Sequence, residues 1–289
     1  DNTLHVDYEG KKQRSNRTYF WRVTLRDNYG NAIQSKPASF TTALLHPEEW
    51  KARWIGADPQ PGRMPEKGFF MERSEQFQDG LEDTVVHNGR SLLLRRSFYL
   101  DKEIESATPH VSGLGFYKLY INGEGTGNLE LTPSKTNYAE EILYDTYQVG
   151  PLLKKGENTV GMHLGNGWYN PYKKWWKEYR MQWFGPKKAI LQLHVQYVDG
   201  TFEVIATDEQ WKTAPGPVVF NCVYDGEIYD ADQEKEAWNT VSYDASGWHA
   251  ARVYGQDKVP LRAQRMPGTQ VVEEITPVSA SKIGSNAII

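Results

Sequence analysis

The chain has 289 residues, 39% of them hydrophobic, with a formal net charge of -4. It can bury a sizeable core, and its length fits about two domains. The weak acidic balance gives no electrostatic footprint for nucleic acid or an anionic membrane surface, and no apolar run approaches the ~20 residues that span a bilayer. One cysteine, Cys222, excludes an internal disulfide framework and a thiolate metal site but leaves the compartment open. The opening "DNTLHVDYEGKK" carries no leader pattern and reads as the interior of a domain, so it says nothing about secretion.

Along the chain the dominant period is two. In "NRTYFWRVTLRD" the residues Tyr19, Trp21, Val23 and Leu25 fall on one face and Arg22, Thr24 and Arg26 on the other, which predicts a half-buried strand. The turn chemistry of "DNYGN" (residues 27–31) and a second extended run to "SFTT" predict a hairpin. Residues 1–45 are too few for an immunoglobulin-like sandwich of about seven strands in ~100 residues, so a partial fibronectin-type III-like domain is expected there.

From "ARWIGAD" a second domain is expected over residues 52–255. A Pro- and Gly-rich loop runs to about residue 90, followed by "SLLLRRSFYL", "HVSGLGFYKLYING", "EILYDTYQV", "NTVGMHLG", "AILQLHVQYVDGTFEVIATD" and "VFNCVYDGEIYDA". These are short, rich in β-branched and aromatic residues, and separated by turns such as "NGEG", "KKGEN" and "VDGT". With no long helical stripe between them, they predict an all-β fold, an antiparallel jelly-roll β-sandwich, though spacing alone does not separate this from a barrel. Residues 256–289 read as an extended linker and the start of a following domain.

No nucleophile elbow, HExxH, paired CxxC or Gly-rich phosphate loop occurs, and His5, His46, His87, His110, His163, His194 and His249 are scattered without ligand spacing. In "YDGEIYDAD" Asp225, Glu227 and Tyr229 share one strand face, with the two carboxylates about 6 to 7 Å apart. That is near the ~6.5 to 9.5 Å of inverting glycosidases. Neighbours on one strand approach a bond from the same side, however, so no catalytic residue is assigned. A hard-cation site from Asp225, Glu227 and Asp230 stays open beside a plain solvated face.

"LGNGWYNPYKKWW" is the densest aromatic stretch. Its glycines let the chain leave a strand sharply and present Trp168 or Tyr169 to a pyranose face, with Asn166 and Asn170 as partners for hydroxyls; a core plug or domain contact is the other reading. Trp175, Trp176 and Trp183 among Lys173, Lys174, Lys177 and Arg180 also suit a packing segment.

"ARWIGA", "LLLRRSF", "GLGFYKLYING", "LTPSKTNY", "LYDTYQV", "LLKKGEN", "LGNGWY", "DGEIYDA" and "ASGWHAA" stand in the order found in bacterial α-L-rhamnosidases, and over about residues 20–275 the chain resembles their N-terminal region. The resemblance implies a fibronectin-type III domain, then a jelly roll related to rhamnose-binding modules, then an (α/α)6 barrel, not included here, with the catalytic carboxylates. By the same resemblance Asn137, Tyr138, Asn166, Trp168 and Tyr169 line a carbohydrate site. Its relatives use an acidic residue and calcium where this chain has Asn137, and Glu140 and Glu141 stand where basic residues are frequent. A calcium-dependent site loses a charged ligand at that point. The expectation is a non-catalytic segment that binds rhamnose-containing carbohydrate weakly or braces a C-terminal catalytic domain, with a stand-alone adhesion module as the alternative.

Overall fold

The structure is a computed structural model. It describes residues 8–57, 90–170, 175–176, 179–180, 184–223, 226–255, 259–276, 278–279, 282–283 and 287–288, of which 175–176, 179–180, 282–283 and 287–288 are described by backbone alone. In the N-terminal unit, β1 (Thr18–Trp21), β2 (Thr24–Arg26), β3 (Ala32–Gln34) and β4 (Ala38–Thr41) form two antiparallel pairs, β1 with β4 and β2 with β3. The hairpin at residues 27–31 forms as its turn chemistry dictates: Asp27 Oδ1 accepts from the N–H groups of Tyr29 and Asn31, and Gly30 takes a φ of 87°. The single half-buried strand expected over residues 18–26 is instead two strands in different sheets. Trp21 and Leu25 are exposed, because alternation specifies a face but cannot supply the layer that covers it.

The second unit is built from β5 (Ile55–Gly56), β6 (Leu92–Leu100), β7 (Ile104–Leu114), β8 (Tyr117–Ile121), β9 (Glu124–Gly125), β10 (Ile142–Thr146) and β11 (Gly156–Leu164). After these come the short pair β12 (Trp175–Trp176) and β13 (Tyr179–Arg180), then β14 (Lys188–Tyr197), β15 (Phe202–Ala206), β16 (Lys212–Pro215) and the hairpin β17 (Val218–Cys222) with β18 (Gly226–Tyr229). β19 (His249–Ala250), β20 (Arg252–Val253) and β21 (Leu261–Ala263) complete the sheets. One sheet has the order β20-β5-β14-β7-β10-β21 with β15 also on β14; the other has β19-β16-β6-β11-β8-β9. From β5 to β8, and again from β10 to β14, successive strands of these sheets alternate between them, the winding of a jelly roll. All ladders are antiparallel except β10 with β21.

The core lies between the sheets. Leu92 and Leu94 of β6, Leu119 and Ile121 of β8, and Val160 and Met162 of β11 face Val111 of β7 and Leu191, Leu193 and Val195 of β14, with Trp211 filling the space beside them. A second apolar cluster covers the outer face of the larger sheet: Leu114, Ile142 and Ile190 meet Ala52, Trp54, Tyr138 and Tyr169. β14 is continuously apolar only over Ala189–Leu191, where apolar clusters cover both faces; from Gln192 to Tyr197 it alternates, with Leu193, Val195 and Tyr197 in the core and Gln192, His194 and Gln196 between them.

The segment between the units is pinned across this outer face. Gln192 Oε1 accepts from the N–H groups of Lys51 (2.6 Å) and Ala52 (3.1 Å), while Gln192 Nε2 donates to the Glu49 carbonyl. The Tyr144 hydroxyl accepts from Leu44 N–H and donates to Leu44 O, and Glu49 Oε2 accepts from Ser15 Oγ at 2.6 Å. One short stretch of chain therefore ties the N-terminal strands to the sandwich by hydrogen bonds to its sheet.

Candidate functional site

Two glycine-bearing turns meet at one end of the sandwich. A Cβ on Gly115 would lie 2.2 Å from Gly165 O, and one on Gly167 would lie 2.8 Å from Phe116 N. Both glycines also hold positive φ, 135° and 54°, so no larger residue fits the crossing. Gly165 N–H donates to Phe116 O at 2.7 Å, which locks "GLGFY" against "LGNGWY" and sets the direction of residues 166–170.

Those residues are buried or half-buried. Asn166 donates its backbone N–H to Asn221 Oδ1 (2.6 Å) and its Nδ2 to Asn221 O (2.8 Å); its Oδ1 accepts from Lys187 Nζ (2.8 Å) and Asn170 Nδ2 (3.1 Å). Burial brings the Lys187 amine down to about 7. Asn166 thus cross-links the turn from inside. Tyr138, Tyr169 and Phe184 form an aromatic trio with ring centroids 5.1 to 5.8 Å apart, edge to face except for the stacked Tyr169 and Phe184, and burial raises the Tyr138 hydroxyl to about 12.

Trp168 is half-buried against this cluster, and the Lys135 ammonium stands 4.5 Å from its ring centroid. Asn137 is exposed; its Oδ1 accepts from Ala139 N–H and its carbonyl from the N–H groups of Glu140 and Glu141, so it shapes the turn that carries Lys135 and Tyr138. That loop is anchored by Ser134 N–H on Gln264 Oε1 and by Thr132 Oγ1 on Asp145. Asp145 is buried between the sheets, also accepts from the Tyr117 hydroxyl at 2.7 Å, and has its carboxyl pushed up by desolvation.

The five residues expected to line a sugar site therefore gather at one end of the sandwich, but in different roles. Tyr138, Tyr169 and Asn166 support it from beneath, while Trp168 and Asn137 reach its surface. Lys135, Phe184 and Lys187 were not singled out by sequence reasoning. Lys135 lies inside the quoted "LTPSKTNY", yet nothing in its spacing shows that it reaches an indole carried by a different loop.

Of the expected cation ligands, Asp225 lies outside the described residues, Glu227 is exposed on β18, and Asp230 caps a short turn by accepting from Asp232 N–H. Among the described residues no three His, Cys, Asp or Glu side chains gather at one point. Lys173, Lys174, Lys177 and Trp183 also lie outside the described residues, and of Trp175, Trp176 and Arg180 only the strand pairing is described.

The histidines are not all scattered in space. The rings of His110 and His194 lie 5.4 Å apart under Trp50 and Tyr144, with Thr146 Oγ1 on His110 Nδ1 and Gln192 Nε2 on His194 Nε2. Burial, and then the neighbouring His194, holds His110 down to about 3, so the pair is neutral packing beneath the inter-unit segment.

Such a molecule is an all-β module, a jelly-roll sandwich with a smaller strand-built unit tied to its outer sheet and an aromatic, amide-rich site at one end. Residues 102–273 match the model of the alpha-L-rhamnosidase N-terminal domain, and residues 1–46 that of the Rha78A-like N-terminal immunoglobulin domain. The chain belongs to the alpha-L-rhamnosidase N-terminal domain family. It is 30% identical to an alpha-L-rhamnosidase of Formosa agariphila over 96% of its own length and 29% of that protein, and 32% identical to one of Alteromonas sp. (strain LOR) over 98% and 29%. The solved alpha-L-rhamnosidase from Dictyoglumus thermophilum superposes with a TM-score of 0.77 at 30% identity, over 96% of this chain and 29% of that one. The chain thus spans about 29% of the length of these relatives.

Proposed function

We propose that this chain is the non-catalytic N-terminal part of a glycoside hydrolase acting on α-L-rhamnosides, and that its jelly roll holds rhamnose-containing carbohydrate for a catalytic domain of the same protein. The observation that carries this reading is Trp168: it stays half-exposed above a rigid base of Tyr138, Tyr169 and Phe184, and the loop that brings Lys135 to its ring also carries the exposed amide of Asn137. An indole face so supported suits the apolar face of a pyranose, and a preordered platform avoids the entropy cost of arranging one on binding. One stacked ring and a few hydroxyl contacts support a dissociation constant of ~1 mM for a monosaccharide. Calcium is not required by this reading, since Asn137 supplies no charge.

A second reading, bracing of the catalytic domain, is favoured by the exposed Val272, Ile275 and Val278 beyond the sandwich. Titration of L-rhamnose against tryptophan fluorescence separates the two. Sugar binding should be lost in Trp168→Ala with the far-UV spectrum and unfolding midpoint retained; an unfolded Trp168→Ala with no response to any rhamnoside supports the brace. The isolated chain should not hydrolyse an aryl α-L-rhamnoside, and turnover abolished by Glu227→Gln would overturn its non-catalytic assignment.

A further inference from the structure

We propose that the site at Trp168 takes a negatively charged sugar, the acidic group of the glycan meeting the Lys135 ammonium while its ring lies on the indole. This rests on the carbohydrate-binding reading above and specifies its ligand class. Lys135 is exposed and, among the described residues, makes no ion pair; its ammonium is held 4.5 Å from the Trp168 ring centroid. A neutral pyranose stacking on that face would have to displace the cation and gain nothing for it. A uronate or sulfated sugar gives the ammonium a partner while the ring makes the same contact.

The local charge agrees. In sequence, residues 168–180 carry four basic side chains, Lys173, Lys174, Lys177 and Arg180, against the single acidic Glu178, in a chain whose net charge is -4. On the loop that bears Lys135, Glu141 is paired with Arg262, leaving Glu140 as the opposing carboxylate.

The test uses the 289-residue chain and calorimetric titration with four probes: a rhamnose–uronate disaccharide, its carboxyl-reduced neutral counterpart, a sulfated rhamnoside and its desulfated form. At low salt the charged member of at least one pair should bind roughly two- to fivefold tighter, the scale of an exposed ion pair. That preference should vanish near ~1 M salt, where the screening length is about 3 Å. It should also vanish in Lys135→Gln and widen in Glu140→Gln. Preference within only one pair identifies carboxylate or sulfate as the group recognised. Equal binding within both pairs, or a preference that survives Lys135→Gln, overturns the proposal and leaves the carbohydrate reading standing; no binding of any probe overturns both.

Discussion

The N-terminal strands and the sandwich share the same alternating sequence pattern and have opposite fates. In β1 to β3, Phe20, Leu25 and Ile33 are 78%, 67% and 73% exposed; in β11 and β14, Val160, Leu191 and Leu193 are fully buried. The difference is the second layer. Each two-stranded ribbon of the N-terminal unit has backbone pairing on one edge and, among the described residues, no opposing sheet, whereas every long strand of the jelly roll faces a partner sheet across the core. Isolated two-stranded ribbons are marginal in water, so the stability of the molecule resides in the sandwich.

The largest expected effect is therefore in the sandwich core. Trp211 is fully buried and donates its indole N–H to Ala206 O, so Trp211→Ala should cost about 3–5 kcal/mol in urea unfolding. A loss under about 1 kcal/mol would mean that the core is not where the energy lies.

The tie between the regions comes next. Gln192→Ala removes the acceptor for Lys51 and Ala52 N–H and should cost about 2–3 kcal/mol, since a buried donor left without a partner carries its full desolvation penalty. Hydrogen exchange at residues 44–54 should quicken in this variant while β6 and β11 stay protected. Unchanged exchange at those amides would show that the units are held by other contacts.

A third effect distinguishes the regions by pH. His110 is held to about 3 and His163 to about 4 by burial, below the ordinary 6.5. The unfolded chain takes up these protons first, so each histidine's contribution is fully present above about pH 6.5 and is lost as the medium is acidified towards its folded value. Each should contribute a slope of up to ~1.4 kcal/mol per pH unit in that window. Urea midpoints measured from pH 7 to 4.5 should fall, and His163→Gln should flatten the slope; a slope identical in the variant would remove His163 from the account.

The smallest effect belongs to the N-terminal face. Phe20→Ala and Ile33→Ala should each change sandwich stability by no more than about 0.5 kcal/mol, because neither side chain is covered. Amides of β1 to β4 should also exchange faster than those of β6 and β11, and equal protection in native-state exchange would break the contrast between the two regions.

The strands of the sandwich were legible in residue order because a strand's identity is local: alternation, β-branching and turn residues placed β6, β10, β11, β14 and β15 close to where they lie. "HVSGLGFYKLYING" was quoted as strand-forming with no turn placed before its "NG", yet it holds parts of two strands in different sheets, broken where Gly115 takes a conformation reserved for glycine. The candidate site was half legible. "LGNGWY" announced an aromatic turn, but whether Asn166 faces a ligand or Lys187 depends on contacts with Asn221 and Lys187, 55 and 21 residues away.

By itself the sequence determined the all-β class, most strand positions and the turn chemistry of residues 27–31, all consequences of backbone geometry within a few residues. Tertiary structure alone decided which alternating face would be covered, that Gln192 would clamp residues 49–52, that two distant histidines would meet beneath Trp50, and that Lys135 would stand over Trp168. Those outcomes are set by which sheets pack and which loops cross. Packing partners are chosen by the free energy of the whole assembled core, to which no local pattern gives access.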